Sequence, residues 1–209
     1  MKYFFNIYYG GNMKKLILIL LAIISFATFT GCQLNTNNDT KLVYESLSEK
    51  EEYLSNLTGN KILMYKLKNI PANKKYELLM TYEVYESGEK VKDEIITGLL
   101  KDEHSEKNED KSIGINFQDG KIRYIFAEDG AYSSGNYNIE EDLTKYSQAF
   151  LVNDAKIEIG QDVYIYYAAS GESIRNNIPL GTPIDSNVTN DILKDNTSTI
   201  LIKLSLKEI

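Results

Sequence analysis

Cysteine occurs once in this sequence, histidine once, proline three times and tryptophan not at all. The lone cysteine, Cys32, makes no internal disulfide and no Cys-ligated zinc site, and the lone histidine, His104, supplies no paired-His metal centre. The chain also lacks a Walker A loop, a G-x-S-x-G elbow and a dinucleotide fingerprint, so no cofactor is expected. No Pro/Gly/Ser-rich linker divides it, which leaves length for one domain with a sizeable core. Positive charge is scarce as well: 23 Lys and Arg stand against 30 Asp and Glu. Such a surface is repelled by phosphate backbones and by anionic lipid heads, and nucleic acid is excluded as a partner.

The N-terminus holds what the rest of the chain lacks, a long apolar run. Lys14 and Lys15 precede twelve residues, Leu16 to Ala27, of which only Ser25 is polar. A transmembrane helix needs about 20 apolar residues, and this run is shorter and passes into small polar residues. A charged start, an apolar centre of about 7–15 residues and a small residue before the cut make a secretory signal peptide. The run ends at Phe29-Thr30-Gly31-Cys32, which resembles the lipobox of bacterial lipoprotein precursors, with Phe29 where Leu is usual. The resemblance covers about twenty residues. It implies a thioether-linked diacylglycerol on Cys32, and cleavage by a lipoprotein signal peptidase between Gly31 and Cys32. Two acyl chains anchor stably where one is marginal.

Residues 1–31 are thus expected to be the signal. Met13-Lys14-Lys15 opens a complete one by itself, and Gly10-Gly11 can be encoded by GGAGGN, which looks like a ribosome-binding site. Translation is therefore expected to start at Met13. Cleavage removes Lys2, Lys14 and Lys15 and leaves 20 basic residues against 30 acidic, a net charge of −10. Sixteen tyrosines with abundant Lys, Asn, Ile and Glu resemble the usage of an AT-rich Gram-positive genome.

Residues 32–47 read as the lipidated cysteine and a polar spacer, because Gln33 to Thr40 (QLNTNNDT) has no periodicity. A single domain is expected over 48–209. Ser48-Glu49-Lys50-Glu51 fits a capping box, with Leu54 and Leu57 behind it and Gly59 to end a short helix. The period then becomes two. Tyr76, Leu78, Met80, Tyr82 and Val84 alternate with Glu77, Thr81 and Glu83 as in a half-buried strand, and Ser87-Gly88-Glu89-Lys90 is a turn to a second strand at Val91–Leu100. Asp119-Gly120 suits a type I′ hairpin that pairs Phe117 with Ile122, Ile115 with Tyr124 and Ile113 with Phe126. Further strands are expected at Lys61–Leu67, Tyr146–Val152, Lys156–Ile159, Val163–Ala168 and around Ile200–Leu206. The pattern predicts a mainly β chain, an antiparallel β-sandwich of about eight strands, with a long polar connection from Ser170 to Ser198.

No string in the body survives as a catalytic motif. His104 lies in a mixed-charge run, Lys101 to Lys111, that reads as a solvated loop and lacks the ligand spacing of an EF-hand. Ser87-x-x-Lys90 matches the S-x-x-K string of penicillin-recognising enzymes but sits on a hairpin tip with no K-T-G after it. Glu140-Glu141-Asp142 offers carboxylates for a glycosidase, yet adjacency does not place two carboxyls across a sugar cleft, and a solvated turn fits better. Alternation puts Tyr164 and Tyr166 on the face opposite Val163, Ile165 and Tyr167. If exposed, that pair is a binding face; if both sheet faces are covered, it is core. The expectation is a non-enzymatic, extracytoplasmic lipoprotein held to the membrane by Cys32, binding an envelope protein or a glycan. A hydrolase with an unrecognised carboxylate site and a solute-binding lipoprotein are the alternatives.

Overall fold

The structure is a computed structural model that describes residues 39–209 apart from 73, 102–108, 129–130, 172–177 and 184–185. Met13, Gly31, Cys32 and His104 therefore lie outside the described residues. Two antiparallel sheets make up the domain. The first has six strands, β1 (Lys41–Tyr44), β2 (Lys61–Ile70), β5 (Glu109–Gln118), β6 (Lys121–Glu128), β7 (Ala131–Asn138) and β9 (Ala155–Lys156), in the order β7-β6-β5-β2-β1-β9. The second has five, β3 (Tyr76–Glu86), β4 (Glu89–Lys101), β8 (Ser147–Phe150), β10 (Gln161–Ser170) and β11 (Ser198–Glu208), in the order β4-β3-β11-β10-β8. Two helices complete the described elements, α1 (Glu49–Leu57) after β1 and α2 (Ser186–Asp195) before β11.

The β-sandwich is present, with eleven strands among the described residues rather than about eight. Its main core lies between the sheets, where alternate residues of both meet. Leu63, Tyr65, Leu67, Ile113, Ile115 and Phe117 come from one sheet, and Leu78, Met80, Tyr82, Ile200, Ile202 and Leu204 from the other. The β5–β6 hairpin has the expected register, Phe117 opposite Ile122, Ile115 opposite Tyr124 and Ile113 opposite Phe126. Its turn is not type I′, however. Gly120 has φ 68° but Asp119 is not in the left-handed region, as in turns that need positive φ only at the second central residue. The double-positive turn falls instead at β3–β4, where Ser87 (φ 50°) and Gly88 (φ 87°) both adopt it.

α1 starts as its capping box predicts. Ser48 Oγ accepts the Glu51 amide at 3.4 Å, and the Glu51 carboxylate accepts the Ser48 amide at 2.8 Å. Its leucines are not the buried face, since Leu54 and Leu57 are exposed and Ser55 is buried with its hydroxyl on the Asn60 carbonyl.

Other expectations are corrected, and one strand was not foreseen. Residues 41–44, read as spacer, form β1, which pairs with β2 and places Leu42 in the core. The strand expected at Lys156–Ile159 is only Ala155–Lys156. β7 (AYSSGNYN) was missed because it has no apolar alternation, and Gly135 lies directly under Tyr124, where a Cβ has no room. The connection from Ser170 to Ser198 contains α2. Thr189, Ile192, Leu193 and Asn196 are buried at i, i+3, i+4 and i+7, a helical stripe too sparse in apolar residues to read beforehand.

α2 also changes β3. That strand was expected to be half-buried, but Thr81, Glu83 and Tyr85 are buried as well as its core-facing residues. Ile192 and Leu193 of α2, with Ile178, pack a second cluster onto Tyr85, Tyr164, Tyr167 and Leu201 on the outer face of the five-stranded sheet.

Candidate functional site

Glu83 is the residue around which the outer face of the five-stranded sheet is built. It is 0% exposed, and a carboxylate taken so far from water needs partners. Four groups supply them. Oε1 accepts from Lys203 Nζ (2.8 Å) and Lys90 Nζ (2.9 Å), and Oε2 accepts from the hydroxyls of Tyr85 (3.0 Å) and Tyr164 (3.2 Å). Each partner has a local reason to be there. The tight Ser87-Gly88 turn folds β4 back along β3, and an extra residue in β4 near Val91 places Lys90 opposite Tyr85. β11 runs beside β3 with Leu201 opposite Glu83, so Lys203 approaches from the next outward position. Tyr164 of β10 lies opposite Lys203.

The electrostatics follow from this geometry. Burial by itself pushes the Glu83 carboxyl up, but the ammonium groups of Lys203 and Lys90 outweigh it and hold the group below the usual carboxylate range. Burial also works against the charge of Lys203 and Lys90, and their bonds to Glu83 prevail and raise both. Lys90 further reaches Asp93 (3.0 Å), and Lys203 lies 3.6 Å from Asp162. Burial, reinforced by the Glu83 charge, raises the Tyr164 and Tyr85 phenols, which stay protonated as donors.

A cleft of about 450 Å³ opens over this cluster. Asp162 and Gln161 of β10, Thr189 and Asn190 of α2 and Pro183 form its walls. The segment bearing Pro183 is pinned to β10 by the Gly181 amide on the Tyr164 carbonyl (2.9 Å) and a bridge between Val163 and Pro183. The ionisable groups of the lining cancel, with Glu83 and Asp162 against Lys90 and Lys203. Such a cleft offers fixed hydrogen-bond donors and acceptors. The ammonium groups of Lys203 and Lys90 favour the ionised form of Glu83, which opposes a general-acid role for it.

The two tyrosines singled out in the sequence do not form a common face. The β10–β11 register shifts between Tyr164 and Tyr166, leaving Ile165 as the extra residue of a bulge. Strict alternation therefore fails, and Tyr164 joins the outer cluster while Tyr166 enters the main core against Phe117 (ring centres 4.5 Å apart). Both are buried, which is the core case of the two readings, although Tyr164 is among the residues that line the cleft. Glu83 was missed because it occupies an ordinary solvent-side position in an alternating strand, and its lysines lie 7 and 120 residues away.

In Glu140-Glu141-Asp142, the carboxylates of Glu141 and Asp142 have hydrogen-bond partners. Glu141 accepts from the buried Tyr82 hydroxyl (2.9 Å), and Asp142 caps the short 3-10 turn Leu143–Lys145 through the Thr144 amide (3.1 Å). Glu141 and Asp142 line a second cleft of about 340 Å³ beside Phe117 and Lys61. Among the described residues, no group of three or more His, Cys, Asp or Glu side chains is placed to hold a metal ion. Comparison of the chain with protein-family models, with curated proteins and with solved structures finds no match.

Proposed function

We propose that this chain is an extracytoplasmic lipoprotein, tethered to the membrane through Cys32, whose sandwich binds a neutral glycan in the Glu83 cleft without altering it. The lipobox-like Phe29-Thr30-Gly31-Cys32 supports the tether. The observation that carries the binding function is the self-neutralised lining of the cleft, Lys90 and Lys203 balanced by Glu83 and Asp162. A net anionic or cationic ligand gains nothing from such a lining. A sugar, whose hydroxyls each donate and accept, finds both kinds of partner in fixed positions. The volume lies within the usual range for small-molecule sites, about 300–1,000 Å³.

A hydrolase is the less favoured reading. It needs one carboxyl kept protonated near neutral pH, and the buried Glu83 is driven the opposite way. The test is saturation-transfer NMR of the full chain with neutral oligosaccharides released from a bacterial envelope. Saturable binding, lost in Asp162→Asn combined with Asn190→Ala and without change in the sugar, is expected. Absence of binding contradicts the glycan, and steady turnover of the sugar establishes the enzyme instead.

A further inference from the structure

The domain is acidic overall, but one of its faces is not. Leu42, Leu67 and Ala155 point into the core, so their strand neighbours Lys41, Lys68 and Lys156 stand side by side on the outer face of the six-stranded sheet. The same alternation brings Lys66, Lys121 and Arg123 to that face. Among the described residues, Asp110 is the one carboxylate at a strand position there. Lys66 pairs with Asp110 (3.4 Å), and Lys156 pairs with Glu158 (2.7 Å) and Asp39 (3.5 Å). Lys41, Lys68, Lys121 and Arg123 have no carboxylate partner among the described residues. Like charges placed opposite each other on paired strands destabilise a sheet unless something else neutralises them.

The centre of this face is apolar. Ile62, Met64, Gly114 and Ile125 line a groove of about 340 Å³ with Asn116 and Arg123 as its polar members, and Tyr132 is 77% exposed on the same side. Cations around exposed apolar and tyrosyl groups match the interfacial zone of an anionic bilayer. The tether leads to this sheet: β1 begins nine residues after Cys32, a length of chain that spans at most about 32 Å.

We infer that the outer face of the six-stranded sheet lies on the bilayer that holds the lipid. Lys41, Lys68, Lys121 and Arg123 meet anionic headgroups, and Ile125 and Tyr132 sit at headgroup level. The inference rests on lipidation of Cys32. It turns the Glu83 cleft, on the outer face of the other sheet, away from the membrane. The repulsion implied by the net charge is a property of the average surface and not of this face, because charges beyond about 8–10 Å are screened at ordinary salt.

With Cys32 acylated, a cysteine introduced by Ser134→Cys or Asn190→Cys is the free thiol for a fluorescent label, one on each side of the sandwich. The full chain, made with its own signal, is returned to vesicles of phosphatidylcholine with or without phosphatidylglycerol. A quencher carried by lipid should dim the label at Ser134 several-fold more than the label at Asn190 when phosphatidylglycerol is present. The difference should vanish in about 1 M salt and in the variant K41Q/K68Q/K121Q/R123Q. Equal quenching at the two positions, or a difference indifferent to salt, overturns the inference.

Intact mass reports lipidation separately. A chain without acyl groups contradicts the anchor, and its sedimentation with phosphatidylglycerol vesicles still decides the face. Preference over phosphatidylcholine of about tenfold upholds the face, and no preference overturns it.

Discussion

Removing the Glu83 carboxylate leaves the Lys203 and Lys90 ammonium groups without their shared counter-ion and two phenols without an acceptor. Breaking a buried pair from one side costs about 3–5 kcal/mol, and the lower end applies here because Lys90 can turn to solvent. Glu83→Ala is therefore expected to lower the free energy of unfolding by about 3 kcal/mol at neutral pH, read from urea transitions. The effect depends on pH in a stated direction. The folded Glu83 carboxyl titrates below its ordinary value of 4.5, so its contribution is whole above about pH 5 and fades as pH falls through the folded pKa. Lys90 and Lys203 titrate above their ordinary 10.5, so their share is present below about pH 10 and is lost as pH rises further. The gap between native chain and variant should form a plateau between those limits. A gap unchanged in acid would show that the carboxylate's charge is not what stabilises. None of this was legible in the sequence, where Glu83 has the look of any solvent-facing residue in a strand. Burial on its second face comes from α2, more than a hundred residues later.

Among the elements, the two tight hairpins separate what local pattern specifies from what it leaves open. The β5–β6 register was legible because three apolar pairs and one turn agree on it, and slipping by one residue would turn every one of those side chains outward. The turn type was not, since Asp-Gly is compatible with more than one. β10 shows the other limit, for a single bulge residue, Ile165, sends Tyr164 and Tyr166 to opposite faces, and nothing in VYIYYA marks where the bulge falls. Gly88 and Gly120 give a direct comparison. Both have positive φ, so alanine at either costs about 1 kcal/mol or more in backbone strain. At Gly120 an added Cβ meets open space, whereas at Gly88 it would lie 2.7 Å from Lys194 Cγ of α2. Gly88→Ala should thus lower Tm more than Gly120→Ala. Equal losses would mean that the β3–β4 tip does not pack on α2.

For the whole molecule, the proposed lipid anchor lies in the sequence ahead of a sandwich whose two outer faces differ. One is basic with an apolar centre, and the other is half-covered by α2 and holds a neutral polar cleft. The sandwich class was legible from strand count and alternation, but the difference between its faces required the strand order, which sets β9 beside β1, more than a hundred residues away in the chain. Membrane attachment depends first on the proposed anchor at Cys32. Serine at position 32 lacks the thiolate that attacks the lipid donor, and its hydroxyl is a far weaker nucleophile at neutral pH. The deciding measurement is labelled-palmitate incorporation with intact mass, on native chain and Cys32→Ser made in the same bacterial host. The native chain should carry label, start at Cys32 with a diacylglycerol on it, and partition into detergent, while Cys32→Ser carries none. A native chain that takes up no palmitate and has the same mass as Cys32→Ser, apart from the substituted atom, contradicts the account.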